Sequence, residues 1–270
     1  MRSVGCVIGL GLALLSSAAV ALPLAPHRAV YDLALAPGAD GVEAARGRIA
    51  IEFYGSSCEG YTTRVRQVTV LDLGESGTRT LDSNSATFEE ADASLLRFRS
   101  ESRADGRTME EVDGSASRVE DETRVVVEGP QAETFTLPGR PFFPTEHIAR
   151  LVAEAEAGAP LFSAPVYDGT GDGRTVYDTL AVIGDALPPP EAGTGEDADT
   201  PLAKLAGLDS WPVRLSYFEP GPGERTPDYV VGFRLFENGV SSDLTLAFDG
   251  FTLEGELSAL ELMENGDCRL

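Results

Sequence analysis

The chain has little of what most enzymes work with. Its 270 residues include two histidines, His27 and His147, and three cysteines. Zinc needs three or four protein ligands at workable geometry, and the spacing around these histidines asks for none. There is no G-x-S-x-G elbow for a serine nucleophile and no C-x-x-C pair for redox work. No Gly-x-Gly-x-x-Gly leads from a strand into a helix to cradle phosphates. Asp168-x-Thr170-x-Asp172-Gly173 departs from a calcium loop, with Thr170 in place of Asp or Asn and Thr179 in place of the closing Glu. It reads instead as a hairpin tip with incidental cation affinity. Carboxylate pairs could serve glycoside hydrolysis, but with 44 acidic residues no pair stands out. The expectation is a protein that is not an enzyme, with no catalytic residue, metal or cofactor. A hydrolase with an unrecognised site is the remaining catalytic alternative.

Basic residues are also scarce. The net charge of −23 repels nucleic-acid phosphates and disfavours flat adsorption on anionic head groups. No nucleic-acid partner is expected. Long apolar runs are absent beyond the N-terminus. There Arg2 precedes an apolar stretch from Val4 to Leu15, then small residues ending in Ala19-Val20-Ala21. That is the pattern of a secretory signal peptide, and its apolar stretch is short for a membrane span. Residues 1–21 are read as a signal cleaved after about Ala21, with an uncleaved anchor as the other reading. The mature chain, 22–270, is then expected to be exported as one domain.

Export changes the meaning of the cysteines. Cys6 leaves with the signal, so Cys58 and Cys268 remain. An even pair in an oxidising compartment reads as a disulfide; two free thiols are the alternative.

What the sequence has in quantity is short alternation broken by turn residues. Tyr31, Leu33 and Leu35 alternate, as do Ile49, Ile51 and Phe53. Trp211, Val213, Leu215 and Tyr217 share a face, and so do Leu244, Leu246 and Phe248. Such period-two runs are strands with one buried face. Asn238-Gly239 and Asp249-Gly250 mark hairpins, and Asp105-Gly106 and Asp113-Gly114 read as further reversals. The phase slips between Leu257 and Leu260, which predicts a bulge near Ser258-Ala259. A second slip between Val65 and Val68 reads the same way. Bulges coil a sheet, so the expected fold is mainly β: an antiparallel meander in a curved sheet or barrel rather than a flat sandwich.

One helix interrupts the strands. Thr145 reads as its N-cap and Gly158 as its stop. Ile148, Leu151, Val152 and Ala155 form an apolar stripe at helical spacing, so the helix packs against the sheet. Residues 186–201, rich in Pro, Gly and acids, read as a mobile surface insertion.

Several of these elements occur together in a known order: Leu24–Leu33, Ala45-Arg46-Gly47-Arg48, Cys58-Glu59-Gly60-Tyr61, Arg66–Thr69, Val112–Ala116, Pro144-Thr145-Glu146-His147, Tyr167-Asp168-Gly169, Val176–Thr179 and the terminal Cys268. As an ordered set they resemble the EipB family of α-proteobacterial cell-envelope integrity proteins. The resemblance spans nearly the whole mature chain, apart from the acidic insertion. It implies a periplasmic protein with a long antiparallel β-spiral, an incompletely closed barrel, with the amphipathic helix packed against it, and a disulfide between Cys58 and Cys268. It also implies a role in envelope integrity and stress resistance, with a functional link to a periplasmic repeat protein. The implied fold is similar to lipoprotein carriers of the LolA and LolB type, which suggests a lipid or lipoprotein ligand.

Two functional expectations follow. In the first, the concave sheet binds a lipid, lipoprotein segment or hydrophobic peptide, gated by the helix through Ile148, Leu151, Val152 and Ala155. In the second, the stripe completes the core and the protein is a purely structural interaction module.

Overall fold

The computed structural model describes residues 24–129, 132–221, 223 and 225–264. The expected signal peptide, residues 1–21, and Cys268 lie outside these residues. Fourteen strands follow one another: β1 (His27–Leu35), β2 (Ala44–Ser56), β3 (Gly60–Asp72), β4 (Thr78–Glu89), β5 (Leu95–Ala104), β6 (Arg107–Val119), β7 (Glu122–Val127) and β8 (Glu133–Pro138), then β9 (Leu161–Val166), β10 (Tyr177–Ile183), β11 (Ser210–Phe218), β12 (Tyr229–Phe236), β13 (Ser241–Ala247) and β14 (Thr252–Leu262). Helix α1 (Pro144–Glu156) separates β8 from β9.

All fourteen strands belong to one antiparallel sheet, ordered β8 through β1, then β14 back down to β9. The first and last strands are therefore neighbours in the middle. The free edges, β8 and β9, are the two strands that flank the helix. Pairing β1 with β14 joins the two meanders, and His27 lies opposite both Phe53 and Leu262.

The sheet is not closed into a barrel, but its edges are drawn together. Phe142, just after β8, forms a parallel bridge with Val166 of β9. The β9–β10 loop does more. Asp168 accepts the Thr170 N–H and hydroxyl, and Asp172 accepts the Arg174 N–H. The loop so shaped lays Gly169 and Gly173 onto Phe98, Val112 and Val127 of the opposite side, where a Cβ on Gly169 would fall 2.3 Å from the Phe98 ring. The hairpin tip is thus a strap across the opening. Arg174 extends it to β8 by pairing with Glu133 and lying over Phe135.

The bulge expected near Ser258 is present: Val30 pairs with Ala259 and Tyr31 with Leu257, leaving Ser258 as the extra residue. The second expected bulge is not. Register through β2, β3 and β4 is continuous from Val65 to Val70. Val65 packs into the core, whereas Val68 and Val70, in the opposite phase, lie on the outer face. Other bulges occur between Ser102 and Arg103 and between Gly232 and Arg234. Asp113-Gly114 is also not a reversal, because both residues lie inside β6. Gly114 is inward-facing beneath Phe98, where a Cβ would come within 2.7 Å of the ring and 2.5 Å of the Val126 carbonyl. Close packing, not a turn, explains this glycine.

The apolar faces form separate cores. One joins β1, β2, β13 and β14 around Tyr31, Leu33, Ile49, Leu253 and Leu257. A second joins β5 to β8 around Leu96, Phe98, Val125 and Tyr167. The third sets Leu151, Val152 and Ala155 of α1 against Ala181, Ile183, Trp211, Val213, Leu215 and Leu235. The acidic insertion is tied at its ends. Leu187 pairs with Ser210, Gly207 donates to the Pro190 carbonyl, and Leu205 just beyond it is buried in the first core. Among the described residues no helix is long and apolar enough to cross a membrane.

Candidate functional site

Helix α1 begins one residue earlier than its expected cap. Pro144 opens it and Phe143 holds the N-cap position, so Thr145 lies inside the first turn. Proline suits that place, since its missing N–H would have no partner there. The cap comes from a distant strand. Glu89, at the end of β4, accepts the Thr145 and Glu146 N–H groups on its two carboxylate oxygens, each at 2.9 Å. Glu89 is buried, and that burial pushes its carboxyl up to about 7, opposed by the helix N–H bonds.

Glu146 reinforces the anchor. It accepts the Phe143 N–H at 3.3 Å and pairs with Arg118 of β6. Arg118 also donates to the Pro141 carbonyl at 3.1 Å, and its guanidinium lies 4.7 Å from the Phe143 ring centre. Two strands far from α1 in sequence therefore fix its first turn.

Beside that turn is an apolar cleft of about 200 Å³. Leu24, Ile51, Phe53, Pro144 and Ile148 give it apolar walls, and His27, Thr63, Thr145 and Ser241 supply polar groups. The Leu24 wall is held by Ala25, which donates to the Asn238 carbonyl at the β12–β13 turn. Phe53 stacks on Tyr61 at 4.9 Å and meets the His27 ring at 5.6 Å. Nδ1 of His27 lies 2.7 Å from the Ala25 carbonyl. A carbonyl only accepts, so Nδ1 carries the proton and Nε2 is left as an acceptor. Burial lowers the His27 pKa, which keeps the ring neutral. The cleft thus combines apolar walls, one imidazole acceptor and a few hydroxyls, a composition suited to an amphipathic chain.

The candidate gating residues divide. Ile148 lines the cleft. Leu151, Val152 and Ala155 point the other way, into the β10–β12 core, and are fully buried or nearly so. His147 is buried apart from His27, stacked on Phe162 with Nε2 3.4 Å from the Thr179 hydroxyl. Sequence reasoning missed Glu89, Arg118 and His27. Only the i, i+3 spacing of Phe143 and Glu146 hinted at an anchor, and nothing near Glu89 marked it as a cap. Cys58 lies in the β2–β3 turn, where Ser56 Oγ accepts the N–H groups of Cys58 and Glu59.

A family described as EipB-like matches residues 18–264. The chain belongs to that family. Among EipB-like proteins, the cell envelope integrity protein EipB of Brucella abortus (strain 2308) is 35% identical over 259 residues, covering 95% of this chain and 90% of that one. The crystal structure of a β-barrel-like protein of a domain of unknown function, also from Brucella abortus, superposes with a TM-score of 0.80 at 34% identity, covering 90% of this chain and all of that one. The two chains share one fold over that span.

Proposed function

We propose that this EipB-like chain is a non-enzymatic periplasmic protein that supports cell envelope integrity by holding a hydrophobic chain in the cleft between α1 and β1–β3. The supporting observation is the cleft itself: its walls are apolar, and His27, Thr63, Thr145 and Ser241 add polar groups to its lining. At about 200 Å³ it takes roughly the volume of six or seven waters, enough for one end of an acyl chain or a large apolar side chain. The ligand is then a lipid, a lipoprotein segment or a hydrophobic peptide, and α1 gates it on the Ile148 side. A periplasmic repeat protein is the proposed protein partner.

The test is native mass spectrometry of protein purified from its own periplasm, together with displacement of a fluorescent fatty acid. Co-purified lipid or peptide, and a fatty-acid affinity lowered at least tenfold by Ile148→Glu, is the expected result. No bound species and no displacement would overturn it.

The second reading is a purely structural interaction module. The burial of Leu151, Val152 and Ala155 favours it, because these residues already have partners in the core. A pull-down recovering repeat proteins with no lipid would decide for it.

A further inference from the structure

Cross-strand register fixes what lines the concave face between the first two cores. Val65 packs on the core of β1, β2, β13 and β14. Ser85 lies opposite Val65, Ser100 opposite Ser85, and Val112 opposite Ser100. Val112 belongs to the core of β5–β8, so all four side chains face inward. The next rung on the same face is Gln67, Ser83, Ser102 and Glu110. A hydroxyl-rich strip therefore runs across the inside of the sheet, where a packed barrel would carry branched aliphatic residues. Ser83 is exposed, and Gln67, Ser85, Ser100 and Ser102 are half-buried. Among the described residues none of these serine hydroxyls is bonded within the protein or buried without a partner. They are open to solvent.

Three tyrosines cluster in the other half of the sheet. Tyr177, Tyr217 and Tyr229 stand on the neighbouring strands β10, β11 and β12, and Tyr217 continues the inward face of Trp211, Val213 and Leu215. Tyr217 and Tyr229 stack at 4.4 Å, with Tyr177 edge-on to them at 6.0 and 6.1 Å. Burial first, then the carboxylates of Asp168, Glu219, Asp228 and Glu110, raise the Tyr177 pKa. Val176, the neighbour of Tyr177, packs on the β5–β8 core that includes Val112, the end of the first serine rung, which sets the cluster beside that strip.

We propose that this lumen, distinct from the cleft beside α1, binds an uncharged oligosaccharide. A sugar ring has an apolar C–H face that packs on an aromatic ring and an equatorial rim of hydroxyls that exchange hydrogen bonds with serine and glutamine. An acyl chain would leave the serine hydroxyls without partners, which is costly. An anionic glycan would meet Glu110, Asp168, Glu219 and Asp228. An uncharged chain uses both walls without either penalty.

The test is calorimetric titration of the mature chain with the N-acetylglucosamine tetramer and with maltotetraose. Binding of either supports the proposal, and binding of the first alone assigns an N-acetylated glycan as the source. Ser100→Leu fills the strip and lowers sugar affinity at least tenfold. Tyr229→Phe, which leaves packing intact, lowers it severalfold. Fatty-acid displacement from the cleft is unmoved by either variant, so the two sites fail or stand separately. Absence of binding to both sugars, or binding indifferent to both variants, overturns the proposal.

Discussion

The carboxylate of Glu89 caps α1 by accepting the backbone N–H of Thr145, fifty-six residues further along the chain. A helix start normally finds its acceptor in its own N-cap side chain. Here Phe143 has none to give, and the end of β4 supplies it. The helix is therefore held at the place where the cleft is built, by a strand that lines the opposite side of the turn.

Burial of Glu89 makes stability depend on pH, and the contact with the helix N–H groups opposes that shift. The Glu89 carboxyl is raised to about 7 from an ordinary value of 4.5. Its contribution is fully present below 4.5 and is lost as pH rises through 7, up to about 3 kcal/mol in total. The nearby charges are Glu146, which opposes ionisation, and Arg118, which pairs with Glu146. Glu89→Gln flattens the melting temperature between pH 4.5 and 7.5 relative to the parent chain. An unchanged slope would mean the carboxyl is not held in this way.

His147 acts in the opposite sense. Burial lowers its pKa to about 4 from 6.5. The neutral ring stabilises the fold fully above 6.5, and this is lost as pH falls through 4. His147→Leu removes that acid-side loss, read as a shallower fall in melting temperature from pH 6.5 to 4.

The proposed disulfide has a simple geometric basis. Phe53 and Leu262 flank His27 on either side, so the β2–β3 turn and the end of β14 lie at one end of the sheet. Cys268 lies six positions beyond Leu262, a reach of about 20 Å when extended, while two strand spacings are about 10 Å. Closing a loop of roughly 210 residues contributes about 5 kcal/mol by the chain-entropy estimate. Reduction should shift the band on a gel and lower the melting temperature clearly, as should Cys58→Ser. An identical melting curve in reductant would remove its structural importance.

Leu151 and Ile148 should behave differently although both belong to the same apolar stripe. Leu151 is fully buried in the β10–β12 core, so Leu151→Ala costs about 2–5 kcal/mol in denaturant unfolding. Ile148 is only partly covered, and Ile148→Ala costs less while weakening fatty-acid binding. Equal destabilisation would show that the cleft wall is simply core.

Gly114 tests the interior of the sheet. Its missing Cβ leaves room for Phe98 and the Val126 carbonyl. Gly114→Ala should cost about 1–3 kcal/mol in equilibrium unfolding, a value an ordinary strand turn would not give.

Alternation made much of the fold legible. Tyr31-Leu33-Leu35 and Trp211-Val213-Leu215-Tyr217 have a period of two because one face is buried, and that pattern survives in the structure. The slip at Ser258 was readable because both flanking phases are strongly apolar. Val65 and Val68 misled for a related reason: β3 carries valine on both faces, so a change of phase there need not be a bulge. Asp113-Gly114 has turn chemistry, yet Gly114 answers to the bulk of Phe98.

Patterning and turn residues by themselves determined strands, a bulge and one helix, because each is encoded within a few neighbouring residues. Only the tertiary structure decided that β1 meets β14, that Glu89 caps α1, and that the β9–β10 loop lies against Phe98. Those relations join residues tens to hundreds of positions apart, and they depend on the curvature of the whole sheet, which no local window of sequence carries.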